Sequence, residues 1–145
     1  MASGQPHAGR QRTVALLVES SRAYGRTLLH GIARYVRAHG GWRVLHQERM
    51  LVGDTPPWLA RQSCDGILAR IETRRLLRKL QQLGIPTVDL LARYRVPGIP
   101  QVGQNDRAVA RLAAEHLRAR GFRHFAFCGF AGVEYSARRR DAFVA

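Results

Sequence analysis

With 145 residues, 46% of them apolar, the chain is long enough for one domain with a real core and too apolar for a disordered tail. Its formal charge of +14 rests on 24 basic residues of which only Lys79 is lysine, and the arginines run from Arg10 to Arg140, so the charge reads as coding bias and solvated surface rather than a nucleic-acid footprint. Cys64 and Cys128 lie far apart, in or beside apolar segments, and read as buried thiols without a disulfide. The polar stretch MASGQPHAGRQR offers no export signal and no apolar run is long enough to span a bilayer, so a cytoplasmic protein without a membrane partner is expected.

Thr13 to Val18, rich in Val and Leu, reads as a buried strand. The helix after it should bury Tyr24, Leu28, Ile32 and Tyr35 or Val36, and should stop at Gly40-Gly41. Trp42 to Glu48 is a second strand. Asp54 to Ser63, with two prolines, has room only for a short helix, and Asp65 to Ile71 is a third strand. Leu76, Leu80 and Leu83 mark one face of a helix ending at Gly84, and Pro86 to Leu91 forms a fourth strand. Gln101 to Gln104 gives only a short strand. Asn105 or Asp106 then caps a helix that should bury Val109, Leu112, Ala113, His116 and Leu117 and close at Gly121. His124 to Phe130 reads as a last strand, and a helix begins near Tyr135. Strands alternating with helices predict an α/β fold, an open parallel sheet with helices on both faces. Ligands of such sheets bind beyond the carboxyl ends of the strands.

The turns at those ends carry the polar residues. Ser21, Arg22, Tyr24 and Arg26 follow strand one, Arg70 follows strand three, Asn105 and Asp106 follow strand five, and Tyr135 and Arg139 follow strand six. Arg, Asn and Asp can hold several hydroxyls in plane, and a Tyr ring can cover the apolar face of a sugar or base. Ser20 and Ser21 could equally do no more than cap the helix. No three-glycine dinucleotide fingerprint follows strand one, no Ser sits in Gly-x-Ser-x-Gly, and the six histidines show no ligand spacing. No cofactor, no metal and no catalytic residue are expected. The short run Gly129 to Gly132 is a fragment of a glycine-rich loop, as turns often are.

Taken in order, the stretches RTVALLVESSRAYGRTLLHGIARYVRAHGGWRV, PPWLARQSCDGILARI, LGIPTVDLL, QNDRAVARLAAEHLRARGFRHFAFCGF and YSARRRDAF resemble the N-terminal part of xylose-operon-type transcriptional regulators of the AraC family. The resemblance covers nearly everything after Arg12. It implies a type I lobe like those of periplasmic-binding proteins and LacI-type repressors, which senses a sugar such as xylose or a related pentose, and a dimer that contacts DNA through a C-terminal pair of helix-turn-helix motifs. It places Ser21 to Arg26 against the ligand, sets Asn105-Asp106 where such sensors usually carry Asp then Asn, and matches Arg139 to an arginine that points toward ligand.

The implied organisation is a disordered tail over 1–12, an N-terminal lobe over 13–104, and a crossover helix, strand and truncated start of a second lobe over 105–145. A two-lobed sensor needs roughly twice this length, and no helix-turn-helix occurs in the sequence, so a sugar-sensing fragment of a regulator is expected. A solute-binding protein of the same fold for sugar uptake, or an α/β enzyme, are the alternatives.

Overall fold

The computed structural model describes residues 10–46, 56–61 and 63–145. Two compact units divide the chain, Met1–Val102 and Gly103–Ala145. Most of the tail expected over 1–12 lies outside the described residues. Its last residue, Arg12, already belongs to a strand.

The first unit is an open parallel sheet. Strands β1 (Arg12–Leu17), β2 (Trp42–His46), β3 (Gly66–Ala69) and β4 (Thr87–Asp89) lie in the order β2-β1-β3-β4. Helix α1 (Ala23–His39) links β1 to β2, and α2 (Arg74–Leu83) links β3 to β4. The second strand ends at His46, and Gln47 and Glu48 lie outside the described residues. The expected strand at 101–104 reduces to a single bridge between Asp89 and Gln101.

Side chains alternate across a strand. Ala15 and Leu17 of β1 and Ile67 and Ala69 of β3 therefore share one face, where they meet Leu76, Leu77 and Leu80 of α2 and Leu59 of a 3-10 turn, Pro57–Ala60. Val14, Leu16 and Val18 occupy the opposite face and are buried as well. Burial on both faces is why β1 reads as a continuous apolar run and not as alternation. Helix α2 starts where Thr73 Oγ1 accepts from the Leu76 amide at 3.1 Å, and it ends at Gly84, whose φ of 63° is cheap only for glycine. In α1 the half-buried face is Tyr24, Leu28, Leu29, Ile32 and Val36. Tyr35 is the exposed member of the expected pair, stacked on His39 and tilted against Trp42.

The second unit holds α3 (Asp106–Ala119) and α4 (Glu134–Val144), which pack on each other. Two expectations fail here. His124 to Phe130 forms no strand, because a ladder needs a neighbour and no strand lies among the described residues of this unit. Phe125, Phe127, Phe130 and also Cys128 are consequently exposed. Helix α3 buries Asp106 and Ala110, not Val109, Leu112, Ala113 and His116; which face is covered depends on where α4 packs, not on where the apolar stripe runs.

Candidate ligand-binding site

Strand order β2-β1-β3-β4 means that the chain leaves β1 toward one side of the sheet and leaves β3 toward the other. Beyond the carboxyl ends of β1 and β3 lies the crevice that such sheets offer a ligand. The residues that follow those two ends are Glu19 and Arg70, and they are bonded to each other.

Glu19 is the hub, and only 3% of it is exposed. Its Oε1 accepts from Arg70 Nη1 at 2.8 Å, and its Oε2 accepts from Ser21 Oγ at 2.7 Å and from the Arg22 amide at 3.0 Å. Burial pushes its pKa up, but the Ser21 and Arg22 hydrogen bonds and the positive charges of Arg70 and Arg22 outweigh that, leaving the carboxyl below its ordinary value. Arg70 also pairs with Glu72 at 3.3 Å and lies over the Tyr24 ring, 5.1 Å from its centroid. Tyr24 donates its hydroxyl to the Leu90 carbonyl at 3.2 Å. Two carboxylates thus hold the Arg70 guanidinium at the strand-end rim. One donor is left over: Arg70 Nε is buried and has no hydrogen-bond partner among the described residues.

The turn that carries these groups is built tightly. A Cβ on Gly25 would run into the Glu19 carbonyl oxygen, so only glycine allows the first turn of α1 to close over it. Arg26 donates to the carbonyls of Ser20 at 3.0 Å and Ser21 at 2.8 Å, holding the turn in place. The Ser21 hydroxyl is spent on Glu19, and the N-cap residue, Arg22, makes no capping hydrogen bond with its own side chain. A second buried acid, Asp89, organises the neighbouring loop by accepting from the amides of Ile71, Leu91 and Ala92 and from Gln101 Nε2. It holds Ala92 at a φ of 55°. Arg93 and Tyr94 both donate to the Glu72 carbonyl.

The other expected residues gather in the second unit. Asn105 is the N-cap of α3, its side chain accepting from the Ala108 amide at 3.0 Å. Asp106 is buried and bonded to Arg138 at 2.8 Å and to Arg139 at 2.8 Å. Arg139 also donates to Gln104 at 2.6 Å and lies over Tyr135. The Gly129–Gly132 turn borders a cavity of about 370 Å³ with Phe127, Ser136 and Arg140, and Ser136 Oγ accepts from the Phe130 amide. A Cβ on Gly129 would meet Ser136 and Phe127.

The expected residues Ser21, Arg22, Tyr24, Arg26 and Arg70 lie together at this rim, around acids that the sequence did not single out, Glu19, Glu72 and Asp89. The available signal was position. An acid directly after a buried strand has to find donors, because an unpaired buried charge is not tolerated.

No family model matches the chain. A curated relative, the xylose operon regulatory protein of Haemophilus influenzae, is 29% identical over 140 residues, covering 90% of this chain and 35% of its own length. The chain spans about a third of the length of the curated relatives it matches. Among solved structures, a LacI transcriptional regulator from a Rhodococcus species superposes with a TM-score of 0.73 at 22% identity, over 92% of this chain and 51% of that one. A periplasmic solute-binding protein of Actinobacillus succinogenes with bound D-allose superposes with a TM-score of 0.68 at 17% identity, over 92% and 53%. The fold is that of periplasmic-binding-protein-like sensors and solute binders. Among the described residues no group of acids, Cys and His could hold a metal, and no helix is long and apolar enough to cross a membrane.

Proposed function

We propose that this chain is the sugar-sensing region of a DNA-binding transcriptional regulator of the xylose-operon type. The longer protein would be cytoplasmic and dimeric, would carry AraC-type helix-turn-helix motifs, and would answer to xylose or a related pentose. The observation that carries the reading is the rim around Arg70: a half-buried guanidinium at the switch point of the sheet, fixed by Glu19 and Glu72 and lying over the Tyr24 ring. A guanidinium held in place at a strand end keeps in-plane N–H groups that can donate to a ligand hydroxyl. Arg70 is already paired with two carboxylates, which favours a neutral polyol over a sugar phosphate or sugar acid. The curated relatives support the regulatory reading. Residues Ser21, Arg22, Tyr24 and Arg70 form the proposed contact set. Asn105, Asp106, Tyr135 and Arg139 are the proposed set in the second unit.

Isothermal titration with neutral pentoses and hexoses, beside a sugar phosphate, tests this. Arg70→Lys keeps a positive charge beside Glu19 but removes the planar fork. It should weaken sugar binding by about 1.5 to 3 kcal/mol, the worth of a charge-assisted hydrogen bond. A preference for the phosphorylated sugar, or unchanged affinity in Arg70→Lys, contradicts the assignment. The second reading, a solute-binding protein for sugar uptake, draws on the likeness to solute binders, and it is favoured if cell fractionation finds the protein outside the cytoplasm.

A further inference from the structure

Helix α1 carries a row of basic residues of which the proposed sugar site uses only the first, Arg22. Arg26, His30, Arg34 and Arg37 follow one another at steps of four, four and three residues, so at 3.6 residues per turn they share one side of the helix, in line with Arg22 at its N-cap. All five are exposed. At 1.5 Å per residue the row is about 22 Å long. No Asp or Glu occurs between Ser20 and Gln47. Other elements place acids beside some of their arginines: Arg70 meets Glu19 and Glu72, Arg111 meets Glu115, Arg138 and Arg139 meet Asp106, and Arg140 meets Asp141. Among the described residues Arg22, Arg34 and Arg37 are in no ion pair. The arginines are scattered in sequence, but on this helix the fold collects them into a stripe.

We infer that this stripe docks on the sugar-phosphate backbone of duplex nucleic acid, without reading its sequence. A row of guanidiniums free of competing carboxylates is complementary to a line of phosphates, and each planar fork can bind a phosphate with two hydrogen bonds. A membrane surface would need the opposite, apolar face of the helix as well. That face, with Leu28, Leu29, Ile32 and Val36, is half-buried in the protein. The inference stands on charge and geometry alone and does not depend on sugar binding.

The test is fluorescence anisotropy of a random-sequence duplex of about 30 base pairs with the 145-residue chain, over roughly 50 to 200 mM salt, where each phosphate contact adds about 0.9 to the slope of log K on log salt. Arg34→Gln/Arg37→Gln should flatten the slope by about two and lower affinity at least about tenfold at the low-salt end, each lost phosphate contact removing about one unit of slope. Arg34→Lys/Arg37→Lys should bind nearly as the parent, and Arg111→Gln/Arg118→Gln on α3 should leave slope and affinity unchanged. The inference is overturned if the parent does not bind, if the α1 glutamine variant keeps the parent slope, if the α3 variant loses as much, or if anionic phosphatidylserine vesicles are bound more tightly than the duplex at the same salt.

Discussion

The two units contain the same kinds of sequence, apolar strand-like runs beside amphipathic helices, and fold them differently. In the first, Thr13 to Val18 meets two parallel neighbours and disappears into a core. In the second, no strand lies beside His124 to Phe130 among the described residues, and Phe122, Phe125, Phe127 and Phe130 are between 36% and 70% exposed. A strand-like sequence states a capacity for pairing and leaves the partner to the rest of the fold. Charge shows the same contrast. Glu19 and Arg70 are paired with 3% and 13% of their side chains exposed, whereas Asp106 is paired with arginines that remain 38% and 29% exposed.

The largest expected effect tests this contrast in packing. Leu17→Ala should cost the first unit about 2 to 5 kcal/mol, through lost burial and the cavity left behind. Phe130→Ala, at a site already 70% exposed, should change the unfolding free energy from urea melts by less than about 0.5 kcal/mol. Comparable losses at both positions would erase the distinction between the units.

The next effect lies within one helix. Gly25→Ala should destabilise by about 1 to 3 kcal/mol, since the added methyl collides with the Glu19 carbonyl and strains the turn. Gly31→Ala, with open space around it, should stabilise by about 0.5 to 1 kcal/mol. Equal thermal shifts for the two would mean that the Glu19 turn is not closed as described.

The ion pairs should separate by pH and by salt. The folded-state pKa of Glu19 is depressed, so the stability it supplies is complete above the unfolded glutamate value and is lost as pH falls through the depressed value. Glu19→Gln should therefore cost about 1 to 3 kcal/mol at neutral pH. It should also flatten the acid limb of the stability profile. Asp106→Asn removes an equally buried carboxylate, so it should cost about 1 to 3 kcal/mol as well, but its arginines are 38% and 29% exposed, so high salt should reduce that cost more than it reduces the cost of Glu19→Gln. An acid limb unchanged in Glu19→Gln would contradict the hub role.

The smallest effect concerns the two thiols. Burial, then the charge of Asp65, raises the pKa of Cys64, while Cys128 is exposed. A disulfide reagent near neutral pH should label Cys128 first and Cys64 slowly. Simultaneous labelling would place both thiols at the surface.

The parallel sheet, the helices and the strand-end position of Ser21, Arg22, Tyr24 and Arg70 were legible in sequence because each follows from local pattern: Val and Leu runs, three-to-four spacing, and glycines such as Gly84 at helix ends. The acids were not legible. Glu19 and Asp89 acquire part of their roles from donors far away in sequence, as when Arg70 reaches back 51 positions to Glu19 and the Ile71 amide meets Asp89, and Glu72 is drawn in through the same Arg70. The stripe on α1 escaped notice because a count of arginines along the chain ignores which of them share a helix face. The buried face of α3 was misread for a related reason, since the neighbour that decides which residues it covers, α4, is distant in sequence.

The account's central claim is that the rim between the ends of β1 and β3 receives a neutral sugar, and amide shift mapping by NMR tests it most directly. When the 145-residue chain is titrated with D-xylose and other neutral pentoses at millimolar concentration, the account predicts saturable shifts at residues 19–24 and 70–72 and in the loop at 90–94. Those shifts should be lost in Arg70→Lys. Saturable shifts confined to other residues, or no shift with any neutral sugar while the chain remains folded, would contradict it.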